Sequence, residues 1–387
     1  MNRAIELASK SNLKNFIFLT LSRVFANSTY IKTNFLKDRV FPIILFFVIF
    51  LTPFVLIEAQ VDQTADRFGL SYLYPTAGRV FESHWDQGGQ RTLQLFQRDT
   101  IDTELIVRGQ NALIEINGNG IATMRGLNQN VDASPRIYIY DEQRQETWEN
   151  TEMTGCMMRV NENSPASTAG LVMVSRSEHQ DADSDPTKGQ GYAGRIAYDG
   201  RTEFVKEVIH GGVFGFADTK HYPWNTQNNE FPFNEWICAK LVTYDLPDGT
   251  VMLELYLDRS GGLIGGNWEK INQFIDDGTW FGPIFPDPAT SVYLRNDGLG
   301  QAKWKNFSVR EIIPPQCQIP SSGNWQVTQN CFLTTNVTIP ASMTVQNNSL
   351  IIIYPGASLS VPSGHNIVIK QGSGVLIKSG GALRINS

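Results

Sequence analysis

One short stretch of the chain holds side chains of the types that cleave acidic polysaccharides. β-Elimination at a uronic acid needs a cation to neutralise the substrate carboxylate, a base to take the neighbouring proton, and an acid for the leaving oxygen. Most candidates lie between residues 176 and 210. The predicted roles are Arg195 or Lys206 as the cation, His210 or His179 as the base, and Tyr192 or Tyr256 as the acid.

The same residue types also suit binding without catalysis. Trp224 lies in a loop rich in Asn and Pro, where its flat ring suits stacking on a sugar, although packing at the end of a core is the equal alternative. Glu254 belongs to the polar row of an alternating strand at 251–258. The predicted ligand contacts are Arg176, Arg195, Lys206, His210, Glu254 and Trp224.

A predicted β-hairpin at 191–210 must position the cationic side chains. Asp199-Gly200 is typical of a two-residue hairpin loop, because such loops need positive φ. Two loop residues would place Arg195, Lys206 and His210 on one face of the hairpin and mostly apolar side chains on the other. The alternative is an ordinary solvated outer face.

An acidic loop precedes the hairpin. Asp181, Asp183 and Asp185 resemble the start of a calcium-binding loop. Pro186 stands where an EF-hand has Gly, and Tyr192 stands where it has Glu, which argues against an EF-hand. The sequence therefore predicts no cofactor other than a structural calcium ion held more loosely by the three aspartates.

The fold class follows from the strand pattern. About eleven short strand-like runs with turn residues between them occupy residues 60–313, and they predict an all-β, two-sheet jelly-roll sandwich. Pro314 and Pro315 mark a boundary. In the tail, 314–387, short apolar runs recur every 7 to 11 residues with Gly between them. This predicts a small β-solenoid-like domain, with a small β-sandwich as the alternative.

The N-terminal 59 residues differ from the rest. They carry a net charge of +4, and residues 40–57 form an uncharged stretch long enough to cross a membrane as one hydrophobic helix. It is either a signal peptide cut after Ala59 or an uncut anchor that attaches the protein to the membrane or cell envelope. In both cases the body is exported.

Charge and cysteine content agree with export. The chain beyond residue 59 carries −10, which argues against nucleic acid as a partner. Cys317 and Cys331 are 14 residues apart around a turn region, which predicts a local disulfide. Cys156 and Cys238 either pair or remain buried thiols.

Several phrases carry a family resemblance. GYAGRIAYDGRTEFVKEVIHGG, NEWICAKLVTYDLPDGTVMLELYLD, GNWEKINQFIDDGTW and KWKNFSVREI resemble concanavalin A-like jelly rolls of the polysaccharide-lyase and LamG type, over about 62–313. The resemblance implies that a glycan is bound or cleaved on the concave sheet. Ser177-Glu178-His179 stands where alginate lyases of this type have Gln-x-His. The tail is similar to modules that end archaeal cell-surface proteins.

The sequence therefore predicts an extracellular or cell-surface protein that binds a polysaccharide on the concave sheet of a jelly roll. The first alternative is a polysaccharide lyase that cleaves uronic-acid glycans by β-elimination. The second is a structural or adhesive protein of the cell envelope.

Overall fold

The computed structural model describes residues 64–109, 112–126, 134–141, 146–162, 169–179, 188–210, 212–217, 221–224, 229–285 and 288–386. The predicted hydrophobic helix at 40–57 and the aspartates at 181–185 lie outside these residues. Within them there is no helix of the length and apolar character that crossing a membrane requires.

The described residues form an all-β fold, as predicted, and two antiparallel sheets make up its larger part. The first sheet has seven strands in the order β11-β10-β9-β8-β15-β6-β3. Their bounds are β3 (Leu105–Arg108), β6 (Arg136–Tyr140), β8 (Gly170–Ser177), β9 (Gly191–Ala197), β10 (Thr202–Ile209), β11 (Val213–Phe216) and β15 (Ser291–Asp297).

The second sheet has nine strands. They are β1 (Thr76–Glu82), β2 (Arg91–Gln94), β4 (Ala112–Ile116), β5 (Ile121–Gly126), β7 (Thr151–Glu162), β12 (Ile237–Asp245), β13 (Val251–Asp258), β14 (Glu269–Asp276) and β16 (Leu299–Ile312). Eight follow the order β14-β13-β12-β7-β16-β5-β4-β2, and β1 pairs with the last part of β16.

The apolar rows of the two sheets face each other and form one core. Strand β13 shows how alternation produces it: Leu253, Leu255 and Leu257 lie in the core. Glu254 and Tyr256 point to the opposite face of the sheet, and both are buried there as well. Something other than the seven-stranded sheet must therefore cover that outer face.

The tail provides the cover. Its strands are β17 (Trp325–Val327), β18 (Cys331–Leu333), β19 (Val337–Thr338), β20 (Met343–Val345), β21 (Leu350–Ile353), β22 (Ser358–Val361), β23 (Ile367–Ile369), β24 (Gly374–Ile377) and β25 (Ala382–Ile385). Every third strand joins the same parallel sheet, which gives three sheets of three strands. Met343 pairs with Ile367 and Ile351 with Val375, each 24 residues further along. These strands pair in parallel, whereas the strands of a small sandwich pair antiparallel.

Apolar and polar contacts join the tail to the nine-stranded sheet. Phe332, Ile352 and Tyr354 of the tail share one buried cluster with Tyr244 and Met252 of the sheet. The cluster closes the outer face of β12 and β13 to solvent.

A buried hydrogen-bond network lies at the same interface. The Glu254 carboxylate accepts hydrogen bonds from the Tyr74 hydroxyl at 2.6 Å and the Tyr256 hydroxyl at 2.8 Å, and the Lys270 ammonium lies 3.3 Å away. Asn330 of the tail also donates to Glu254. A buried carboxylate needs such partners because its desolvation is costly.

Two disulfides brace the fold. Cys156 and Cys238 are direct neighbours on β7 and β12 and are bonded to each other. Cys317 and Cys331 form the predicted disulfide at the start of the tail.

We expect Asn330→Ala to lower the free energy of unfolding by about 1–3 kcal/mol. Alanine removes a donor to Glu254 and to Gln273 at 2.9 Å, and an acceptor for the Leu350 amide at 2.7 Å. Urea denaturation of the full chain measures the change. The control is Asn324→Ala, an exposed position that should change stability by no more than about 0.5 kcal/mol. Equal stability of the two variants would contradict this account of the interface.

Candidate functional site

The hairpin that carries most predicted site residues has a three-residue loop, and the predicted two-residue loop is wrong. The Ala197 amide donates to the Arg201 carbonyl at 2.7 Å, which leaves residues 198–200 in the loop. Gly200 has a φ of 88°, a conformation that glycine adopts without steric strain. The extra loop residue shifts the pairing of β9 and β10 by one position.

The shift changes which side chains share a face. Arg195 pairs with Glu203, and Tyr192 pairs with Lys206. Arg195 and Lys206 therefore lie on opposite faces of the hairpin, because a one-residue slip moves side chains of one strand to the other face. The predicted common face of Arg195, Lys206 and His210 is corrected accordingly.

Lys206 points into the sandwich and is fully buried. Its ammonium donates to Asp276 at 2.7 Å and to the carbonyls of Trp280 and Gly282 at 3.0 and 2.8 Å. The Tyr192 hydroxyl donates to the same Asp276 oxygen at 2.5 Å. These two predicted site residues therefore hold β14 and the following loop against β10.

Two predicted arginines are also engaged within the protein. Arg176 is buried and forms an ion pair with Asp245 at 2.7 Å. Arg195 lies on the outer face of the seven-stranded sheet, where its Nε donates to Glu203 at 2.9 Å. Its guanidinium stacks on the Phe216 ring at 4.8 Å.

The remaining predicted contacts lie elsewhere. The Trp224 indole is buried and donates to the Gly200 carbonyl at 2.8 Å, so it anchors the hairpin loop. Glu254 and Tyr256 belong to the nine-stranded sheet and lie beneath the tail. Neither shares a surface with His210 on the other sheet.

His179 and His210 do come together, with ring centroids 4.4 Å apart. Both follow strands, β8 and β10, that run antiparallel to β9 and hence parallel to each other, so the ends of the two strands meet at one edge. Glu207 lies between the rings, with its Oε1 3.4 Å from His179 Nε2 and 3.2 Å from His210 Nδ1. The Tyr138 hydroxyl is 2.8 Å from His179 Nδ1.

Charges around the two histidines are strongly coupled. Burial lowers the pKa of His179, and burial raises the pKa of Tyr138 to about 12. Burial disfavours the Glu207 carboxylate, but the two histidine rings and the Arg295 guanidinium outweigh it and hold the pKa of Glu207 well below its usual range. Arg295 lies 3.6 Å from Glu207 and 2.6 Å from Asp297.

Four arginines form a row across the outer face of the seven-stranded sheet. Arg108 is opposite Arg136 on β3 and β6, and Arg136 is opposite Arg295 on β15. Val172 of β8 separates Arg295 from Arg195 of β9. Because neighbouring strands lie about 4.8 Å apart, the four steps of this arginine row span roughly 19 Å.

Exposed aromatic rings lie at both ends of the arginine row. The Arg108 guanidinium stacks on Phe96 at 4.6 Å, and Phe96 is 56% exposed. Phe216 beneath Arg195 is 38% exposed. The row thus ends at accessible flat rings, whereas the Arg136 and Arg195 side chains are themselves buried.

No role is predicted from the sequence for Arg136, Tyr138 or Arg295. Both strands that carry them alternate strictly, as RIYIY at Arg136–Tyr140 and SVYLRND at Ser291–Asp297. This period of two would have placed the arginines and tyrosines on one face. The neighbours of these strands in the sheet could not be deduced from alternation alone.

Comparison with known proteins adds little. No protein-family model and no curated protein matches the chain. Among solved structures, the chain is similar to the VIP36 exoplasmic/lumenal domain in its Ca²⁺/Man₃GlcNAc-bound form, at 8% identity over 62% of this chain and 93% of that one, with a TM-score of 0.37.

Two further solved structures show a comparable likeness. The Emp46p carbohydrate recognition domain has 7% identity over 57% of this chain and 97% of that one, with a TM-score of 0.34. Endo-β-1,4-glucuronan lyase from Trichoderma reesei has 11% identity over 61% and 96%, with a TM-score of 0.30. At these identities and TM-scores the likeness carries no information about a ligand of this chain.

We expect Lys206→Met to destabilise the protein by about 3–5 kcal/mol, because it leaves Asp276 buried without its cation. The double variant Lys206→Met, Asp276→Leu should lose less stability than Lys206→Met alone, since no charge is then buried without a partner. Thermal and urea denaturation measure both, and Lys370→Met, at an exposed lysine of the tail, is the control. A double variant less stable than Lys206→Met would contradict the ion-pair account.

Proposed function

We propose that the protein binds an acidic polysaccharide on the outer face of the seven-stranded sheet. The arginine row carries this proposal. Arg108, Arg136, Arg295 and Arg195 follow one another across five adjacent strands. Guanidinium groups suit carboxylates because they form paired, charge-assisted hydrogen bonds.

The protein's own carboxylates neutralise only part of the row. Glu203 pairs with Arg195, and Asp297 and Glu207 lie beside Arg295. The Nε atoms of Arg108 and Arg136 are buried and have no hydrogen-bond partner in the described part of the chain. Arg108 is half-buried, so the outer nitrogens of its guanidinium can reach a bound carboxylate.

The shape of the face suits a chain-like ligand. The row is long and lies across the strands, and its ends are marked by Phe96 and Phe216. A polymer with regularly spaced carboxylates can follow the row while a sugar ring stacks on either phenyl ring. The tail covers the outer face of the other sheet, which rules that face out as the binding surface.

The disulfides of the folded body also indicate the compartment of the protein. Two disulfides are typical of an oxidising compartment. We therefore propose that the body is extracellular or lumenal. Attachment through residues 40–57 and a calcium ion at 181–185 stay predictions, because both stretches lie outside the described part of the chain.

Arg108→Gln should weaken binding of a polyuronate by roughly 10–100-fold, because one charged hydrogen-bond donor of the row is lost. Titration calorimetry of the full chain with alginate or polygalacturonate measures the dissociation constant. The matched control is Arg384→Gln, at an exposed arginine of the tail, which should leave binding unchanged. Binding to uncharged dextran should be far weaker than binding to the polyuronates.

The affinity for polyglutamate, an anionic polymer without sugar rings, distinguishes sugar recognition from simple charge attraction. If polyglutamate binds as tightly as the polyuronates, the face is a general anion-binding surface. If no polymer binds, a structural or adhesive role in the cell envelope is favoured.

β-Elimination is the second candidate function, and the Tyr138–His179 pair favours it. An acid and a base within hydrogen-bond distance, with Arg136 near the tyrosine hydroxyl, are the groups that the reaction needs. Both side chains are buried, so a substrate must displace their cover to react.

Because of that burial, we expect the protein to release no unsaturated uronate from these polymers, as followed by ultraviolet absorbance. Product that forms with the native chain and disappears in Tyr138→Phe would instead establish the lyase. The Tyr72→Phe variant, at a tyrosine next to Glu82 and Arg310, is the control.

A further inference from the structure

We propose that His179, Glu207 and His210 bind a zinc ion at the edge of the outer face. Each residue offers one ligand atom, and the three atoms lie within 4.8 Å of one another. Two imidazole nitrogens and one carboxylate oxygen are a donor set that zinc prefers. This inference goes beyond polysaccharide binding and does not depend on it.

The distances between the ligand atoms suit the ion. Tetrahedral zinc with bonds of about 2.0–2.1 Å holds neighbouring ligand atoms roughly 3.3 Å apart. Glu207 Oε1 lies 3.4 Å from His179 Nε2 and 3.2 Å from His210 Nδ1. A small movement of the partly exposed His210 ring would bring its Nδ1 equally close to His179 Nε2.

The buried nitrogen of His179 is the second observation that points to a ligand. His179 Nε2 is buried and has no hydrogen-bond partner in the described residues, although it faces Glu207. Its other nitrogen, Nδ1, is held by the Tyr138 hydroxyl at 2.8 Å. When Nδ1 donates its proton to Tyr138, the lone pair of Nε2 points at the proposed ion. Histidine ligands of metals are commonly oriented by such an outer partner.

The backbone also restricts the cluster. A Cβ atom at Gly189 would lie 2.5 Å from the His210 amide nitrogen, so glycine lets the incoming chain lie directly against His210. The Tyr293 ring lies 5.6 Å from the His179 ring on another side. Two of the three ligands are therefore positioned before an ion arrives.

Three protein ligands leave one tetrahedral position of zinc open. Water or an anionic oxygen would occupy it. Arg295 beside Glu207 adds positive charge nearby, so an anionic oxygen is favoured at that position.

Metal titration of the full chain after chelator treatment tests the proposal without any polysaccharide. We expect one zinc ion per chain by calorimetry, and cobalt as a probe should show the intense visible absorption of tetrahedral coordination. His210→Ala and Glu207→Gln should abolish this binding. Tyr138→Phe should weaken it roughly 10-fold and leave one ion per chain, since the orienting hydrogen bond is lost.

His221→Ala is the matched control, because His221 is exposed and lies beside Thr202, at the start of β10 and away from His210. It should bind zinc as the native chain does. Absence of zinc binding in the native chain would overturn the proposal. So would binding that survives in both His210→Ala and Glu207→Gln, with circular dichroism confirming that the variants fold.

Discussion

The pairing of Arg195 with Glu203 decides which charged side chains reach the outer face of the seven-stranded sheet. Side chains of a strand alternate between two faces, so one register places Arg195 and Glu207 outside and Lys206 inside. The inward Lys206 is acceptable only because Asp276 neutralises it. The hairpin is therefore held in register by a buried ion pair as well as by its loop.

The opposite side of the sandwich is sealed by polar and apolar contacts together. Tyr354 and Ile352 pack on the nine-stranded sheet, while Asn330 completes the hydrogen bonds of Glu254. A carboxylate buried without these donors would cost several kcal/mol, roughly the stability of a small domain. The tail thus makes a polar strand face compatible with burial.

The two proposals for the outer face of the seven-stranded sheet rest on different groups and reinforce each other electrostatically. The arginine row, with Arg108 and Arg136, would bind carboxylates by direct hydrogen bonds. The His179–Glu207–His210 cluster would add a metal cation near one point of the row. Both would concentrate positive charge on one face of a chain whose net charge is −6. An acidic ligand would then be drawn to this face rather than to the rest of the surface.

The sequence by itself determined the all-β class, the inward row of β13 and the Cys317–Cys331 disulfide, because alternation and short loops are local properties. It also indicated His179 and His210, which are close along the chain. Only the tertiary structure decided the register of β9 and β10, since one further loop residue, Tyr198, moves the side chains of one strand to the opposite face relative to the other. It also brought Tyr138 to His179 from a strand some 40 residues away, because strand order depends on packing across the whole sheet.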